Sequence, residues 1–337
     1  MKIYKLMFFI TMILGTLISI SSYSWLGMWM GLEINMISII PMFAQYKNMY
    51  SSEAAMKYFL TQAMASMMIL FGIILMSINF MMFMELNMNF YMNLIISSAL
   101  LTKMGAAPFH FWFPEVIEGL NWFNSLILLT WQKIAPMILI MYNSYMNMFY
   151  FMIILMSMII SSIMGFNQTS LRKILAYSSI NHIGWMISAL LYSKLIWLIY
   201  FLIYSLISIN IIFIFNKFKL YFISQLILIF NQTPLLKTFF MLNFLSLGGI
   251  PPFLGFFPKW LVIYSLISNK NILLPFIMII FTLMTFYFYL RLMFSALIIN
   301  FNTQIPKSNN LNYFYMMICN WLFLFGLILF PVFLIMY

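Results

Sequence analysis

Apolar stretches of helix length follow one another along this chain almost without pause, and that pattern constrains the fold more than any other feature. A hydrocarbon core of about 30 Å takes roughly 20 apolar residues to cross as a helix. Read this way, the 337 residues predict spans near 4–22, 25–43, 54–78, 90–113, 121–142, 146–166, 172–192, 195–215, 238–267, 272–297 and 312–336. Backbone groups in lipid must be satisfied within helices or a closed barrel, and the sequence lacks the alternating, turn-punctuated ten-residue units of a barrel. The expected fold is therefore an all-α membrane protein of about eleven transmembrane helices. A separate aqueous domain is excluded, because only 6% of residues are charged and the mean hydropathy is +1.04, against about 25% charged residues in a soluble domain. Residues 1–20 have the basic start and apolar body of a signal peptide, but no small-residue cleavage site follows, so they read as the first permanent helix.

The net charge of +11 would suggest nucleic acid in a soluble protein. Here the cations are spread over short loops, which points to membrane orientation and no nucleic-acid partner. With eleven spans, Lys2, Lys5, Lys47, Lys57, Arg172, Lys173, Lys217, Lys219, Lys237, Arg291 and Lys307 fall on the N-terminal side, and Lys194 and Lys270 on the other. The positive-inside rule then puts the N-terminus in the matrix or cytoplasm and the C-terminus on the outer face. The glycosylation patterns at Asn167 and Asn231 fall on the basic side and are read as chance matches. Cys319, the single cysteine, has no thiol partner, so the chain can form neither an internal disulfide nor a cysteine-held metal cluster.

A ten-residue pattern recurs. Gly105-Ala106-Ala107-Pro108-Phe109-His110-Phe111-Trp112-Phe113-Pro114 aligns without gaps on Gly249-Ile250-Pro251-Pro252-Phe253-Leu254-Gly255-Phe256-Phe257-Pro258. Proline removes an amide donor and clashes with the preceding turn, so Pro108, Pro251 and Pro252, with Gly105, Gly248 and Gly249 beside them, should break their helices inside the membrane. The two copies are separated by an odd number of spans and should run in opposite directions. Inverted repeats with discontinuous helices are a mark of ion and substrate translocators. The expected organisation is one membrane domain in two halves, 4–142 and 146–297, followed by a C-terminal helix at 312–336. Two unrelated proline kinks are the plainer alternative.

Ionisable residues stand where hydrocarbon should be. Glu33 falls near the middle of the second span, and Lys103 and Lys133 are mid-span, too far from either end for their side chains to snorkel to the headgroups. Lys259 follows the second break, His182 is central in the seventh span, and His110 lies within the first break. Burial disfavours an ammonium ion and an adjacent carboxylate favours it again, so a buried lysine can be switched between charge states. Pairing of Glu33 with Lys103, followed by its release, could drive a proton toward Lys133 and on to Lys259. Against this stands a static Glu33–Lys103 ion pair that only glues helices. Both histidines could equally be satisfied structural groups, although hydroxyls of Ser178 and Ser179 could hold water beside His182. Glu115 and Glu118 read as solvated loop residues.

Residues 29–35, 105–114, 170–173 with 178–185, and 247–260 together resemble the antiporter-like membrane subunits of mitochondrial respiratory complex I, in an insect-like form. The similarity runs essentially end to end, and the heavy use of Met, Phe and Lys resembles that of A+T-rich insect mitochondrial genomes. The resemblance implies that the functional residues are a glutamate on an early helix, a lysine beside the first break, a lysine on the following helix and a lysine at the second break. These are Glu33, Lys103, Lys133 and Lys259. The broader family has fourteen helices against eleven here, as in the shortened subunit of many animals. The resemblance further implies the mitochondrial inner membrane, other membrane-arm subunits and a bilayer including cardiolipin as partners. NADH, FMN, iron–sulfur clusters and ubiquinone are expected in other subunits, because this chain shows no Gly-rich nucleotide loop after a strand and no cysteine set. A free-standing cation/proton antiporter and a passive membrane scaffold are the rival readings.

Overall fold

The computed structural model describes residues 3–45, 48–82, 86–143, 147–230, 234–251 and 253–298. Pro252, the motif at 231–233, Lys2, Lys47, Lys307, Cys319 and the expected helix at 312–336 lie outside the described residues. Fourteen helices occur among them: α1 (Ile3–Ser21), α2 (Trp25–Phe43), α3 (Met49–Met82), α4 (Leu86–Met104), α5 (Trp112–Gly119), α6 (Trp122–Leu129), α7 (Trp131–Tyr142), α8 (Asn147–Gly165), α9 (Leu171–Leu190), α10 (Lys194–Phe218), α11 (Ile223–Phe230), α12 (Pro234–Gly248), α13 (Phe256–Ser268) and α14 (Leu273–Ile298). Among the described residues there is no strand, only an isolated bridge between Ser170 and Phe222.

Among the described residues, seven stretches are long and apolar enough to cross a membrane: α1, α2, α3, the α6–α7 pair, α8, α10 and α14. The expected span over 172–192 is α9, and the expected spans over 90–113 and 238–267 are the interrupted pairs α4–α5 and α12–α13. Some features depart from the sequence reading. The eight-residue α11, in a stretch with no predicted span, is far too short to cross a bilayer. The first break is followed by helix, so Pro114, Glu115 and Glu118 lie in α5 and not in a loop. Proline fits the first turn of a helix because the amide it lacks would have had no intrahelical partner there.

The chain divides into two compact units, Met1–Ile153 and Ile154–Tyr337. In the first, α1 and α2 pack backbone to backbone. A Cβ on Gly31 would stand 2.5 Å from Ser19 N, and one on Gly15 would stand 2.8 Å from Asn35 N. Lipid gives no hydrophobic drive for helices to associate, so small residues that permit close approach supply the contact. That pairing fixes the rotation of α2 and so decides which of its polar residues face inward. Helices α3, α4 and α7 complete the unit around them.

In the second unit α9 is the core, packed by α10, α13 and α14. Every residue from Ile174 through Leu190 is buried. This helix carries Ser178, Ser179, Asn181, His182 and Ser188, which explains why it is the span with polar residues on several faces. It is surrounded by protein, where polar groups find partners, and not by lipid, where they would not.

Candidate functional site

Both helix breaks are built by the same device in the same register. At the end of α4, Gly105 takes a left-handed φ of 74°, and at the end of α12 Gly249 takes 76°. Left-handed backbone costs little only for glycine. Gly105 N donates to Thr102 O at 3.1 Å and Ala106 N to Leu101 O at 3.1 Å. In the second break, Gly249 N donates to Ser246 O at 3.1 Å and Ile250 N to Leu245 O at 3.4 Å. These are paired Schellman caps, offset throughout by the spacing of the sequence repeat. The glycines stop the helices, and the prolines downstream, which cannot supply an amide, keep them from resuming at once.

What satisfies the last carbonyls differs between the breaks. In the first, Trp112 Nε1 donates to Thr102 O at 3.0 Å and Gln62 Nε2 to Lys103 O at 3.4 Å. In the second, the ammonium of Lys259 reaches back from α13 and donates to Gly248 O at 2.7 Å and to Leu247 O at 3.3 Å. A cation at a helix C-terminus meets both orphan acceptors and the negative end of the helix dipole. The ring of Trp185 lies 6.0 Å from the same nitrogen. No Asp or Glu occurs after Glu118 in the sequence, so main-chain carbonyls do here what a carboxylate does elsewhere.

In the first unit, Lys103 is 6% exposed and lies in the last turn of α4. It lines a small cavity with Leu32, Asn35, Tyr58, Gln62 and Gln132. The space open to the centre of a water molecule is about 10 Å3, enough for about one molecule. Gln132 Nε2 donates to Asn35 Oδ1 at 3.0 Å, and Tyr58 Oη donates to Gln132 Oε1 at 3.3 Å. Polar groups from α2, α3, α4 and α7 therefore converge on the lysine.

Glu33 is half-buried and lies beside this face, not on it. At about 100° per residue, Leu32, Asn35 and Met36 share the cavity-facing side of α2, and Glu33 is carried to its flank. Among the described residues, ion pairs within 4 Å join Lys57 to Glu53 and Glu115, and Glu33 and Lys103 make none. The contact expected from the sequence is not made, and the amide of Asn35, not the carboxylate of Glu33, lines the cavity beside Lys103. Glu115, exposed as expected, is held by Lys57 at 2.9 Å.

Lys133 is 1% exposed and lies 5.7 Å from the centre of the Phe113 ring. The span that carries it is itself interrupted, which the sequence reading missed. Helices α6 and α7 meet at Thr130, with φ −113° and ψ −69°. Thr130 Oγ1 turns back to Leu126 O at 2.8 Å. One turn beyond the lysine, Pro136 has no amide to give to the carbonyl of Gln132. Lys103, Lys133 and Lys259 therefore each sit within a few residues of a helix discontinuity.

The histidines have different surroundings. His110 is 2% exposed, and its Nδ1 lies 3.3 Å from Pro108 O, inside the first break. His182 is buried at the centre of α9, with Nδ1 2.8 Å from Tyr200 Oη. Ser178 and Ser179, expected as holders of water, donate to Leu175 O and Ala176 O of their own helix, each at 2.8 Å. The groups that sequence reasoning left without a role are Asn35, Tyr58, Gln62, Gln132 and Tyr200. Their one visible signal was polarity inside an apolar span.

A polytopic all-α membrane protein with buried amines set at helix breaks belongs to the class of ion translocators. The transmembrane family model of NADH:quinone oxidoreductases and Mrp antiporters matches residues 22–285, and the chain belongs to that family. It is 51% identical over 315 residues to NADH-ubiquinone oxidoreductase chain 2 of Anopheles gambiae, covering 91% of each chain. It is 52% identical over 302 residues to the same chain of Aedes aegypti, covering 89% of this chain and 88% of that one. Its fold is similar to that of a chain in the structure of respiratory complex I from Thermus thermophilus with bound aureothin. The TM-score is 0.86 at 23% identity, over 98% of this chain and 79% of that one.

Proposed function

We propose that this chain is a proton-translocating membrane-arm subunit of a respiratory NADH:ubiquinone oxidoreductase. Three lysines, each less than a tenth exposed and each at a helix discontinuity, carry that reading. An ammonium in an apolar helix is costly unless it has partners, and a neutral amine there is a base looking for a proton. In the first unit the stations are Lys103 and Lys133, with Glu33 acting on Lys103 from the flank of α2 and His110 in the break. In the second they are His182 and Lys259. Protons load on these groups and leave them as the environment of each amine changes. The lone cysteine and the absence of a nucleotide-binding motif in the sequence support placing NADH, flavin, iron–sulfur clusters and ubiquinone in other subunits.

The rest of the reading follows from the charges. The cation asymmetry of the loops supports a matrix N-terminus and an intermembrane-space C-terminus in the mitochondrial inner membrane. Neighbouring membrane-arm subunits and the surrounding lipid, including cardiolipin, are its partners. The test is the ratio of protons moved to electrons passed in assembled complex carrying Lys133→Met. The ratio should fall while assembly and electron transfer to an artificial acceptor persist. A wild-type ratio would leave a passive scaffold as the better description.

A further inference from the structure

His182 and Tyr200 are joined by a side-chain hydrogen bond inside the second unit's core, 2.8 Å between Nδ1 and Oη. The two are 5% and 1% exposed. Helix α10 presents Tyr200 and Tyr204 one turn apart on the face turned to α9. The ring of Tyr204 lies 4.9 Å from the imidazole. Tyr289 of α14 is near enough to act electrostatically on both tyrosines. From α13, Lys259 stands 6.0 Å from the ring of Trp185, one turn along α9 from His182. Helix α8 brings Ser157 and Met158 against Gly184, and neither residue titrates.

Resting on the proton-translocating reading above, we infer that Tyr200 is the group through which His182 is loaded. The serines on α9 are each hydrogen-bonded to a carbonyl of their own helix. A phenol can donate to the lone pair of neutral Nδ1, which fixes the tautomer with hydrogen on Nε2, or accept from Nδ1–H once the ring is charged. Loading then proceeds without rearrangement of heavy atoms. The O–H bond of Tyr200 breaks as its proton passes to Nδ1, and a proton from a hydronium or ammonium donor replaces it on the phenol oxygen. The products are an imidazolium, an intact phenol and the neutral water or amine. Unloading occurs at Nε2–H, on the far side of the ring, and leaves the Nδ1–H tautomer, so Tyr200 donates again only after proton exchange or rotation of the ring has restored the Nε2–H tautomer. No tyrosinate accumulates, and no electron moves.

The experiment uses the assembled respiratory complex carrying Tyr200→Phe, His182→Gln, both together, or Tyr204→Phe. Tyr200→Phe removes one oxygen and leaves the ring packing in place. Coupled turnover should fall about a hundredfold in Tyr200→Phe, the low end of the range expected for losing a proton-transfer group, and the proton-to-electron ratio should fall with it. The pH profile of coupled turnover should change as it does in His182→Gln, and the double variant should show no further loss, because the two act as one unit. Tyr204→Phe should stay close to wild type, since it keeps the ring that packs 4.9 Å from the imidazole. The ratio is counted per electron, so it can be read on whatever amount of complex assembles. A wild-type ratio and pH profile in Tyr200→Phe, with His182→Gln impaired, would overturn the inference and leave the proton-translocating reading standing. Wild-type ratios in both His182→Gln and Lys133→Met would overturn both.

Discussion

Replacing Gly249 by alanine tests whether the second break seats the lysine beside it. The new Cβ would stand 2.8 Å from both Nζ and Cδ of Lys259 and 3.0 Å from Cε, so the side chain must move. The φ of 76° adds backbone strain of about 1–2 kcal/mol for an L-residue. Gly105→Ala is the control, because it pays the same backbone cost at a φ of 74° while its Cβ meets Phe113, at 3.0 Å, instead of a lysine. The difference between the variants isolates the displaced ammonium. Losing the 2.7 Å bond to Gly248 O forfeits about 1.5–3 kcal/mol, the usual worth of a hydrogen bond to a charged group. At about 1.4 kcal/mol per factor of ten, coupled turnover in Gly249→Ala should fall roughly ten- to a hundredfold below that of Gly105→Ala. Both should assemble to similar extents on native gels. The assay is coupled NADH oxidation with proton uptake in closed vesicles. Equal turnover in the two variants would refute the reasoning, since it would mean that the carbonyl contacts of Lys259 do nothing for its function.

Glu33→Gln should assemble normally, because Glu33 makes no ion pair within 4 Å to lose, yet its coupled turnover should drop; an unchanged proton-to-electron ratio counts against its influence on Lys103. Lys259→Met should leave the carbonyls of Leu247 and Gly248 unsatisfied, at about 1–3 kcal/mol each, while removing the several kcal/mol of burying an ammonium. Its thermal stability should therefore stay near wild type while pumping is lost, and thermal unfolding of the purified complex reads the first half of that statement. Pro136→Ala should restore an amide opposite Gln132 O and stabilise α7 by up to about 3 kcal/mol. Its coupled turnover should fall, because the irregularity beside Lys133 is removed, and a faster enzyme would contradict this.

The sequence alone determined the medium and the two glycine-marked helix breaks. Length and apolarity dictate a span, since a bilayer has one thickness, and α2 begins and ends where the apolar stretch does, at Trp25 and Phe43. Gly105 and Gly249 marked the breaks because left-handed backbone asks for glycine whatever surrounds it. Lys103, Lys133, Lys259 and His182 were visible as candidates because a polar residue within an apolar run stands out by contrast. Tertiary structure alone decided partners. The close packing of α1 on α2 rotates Asn35 into the cavity and leaves Glu33 on its flank, a matter of tens of degrees that no composition encodes. The interruption at Thr130 carries no glycine or proline of its own to announce it. That Lys259 caps the end of α12, that Ser178 and Ser179 bond their own helix, and that Tyr200 reaches His182 all depend on which helix faces which. Local rules fix where a chain must bend or cross, whereas the partner of a buried charge is set by the packing of elements far apart in sequence.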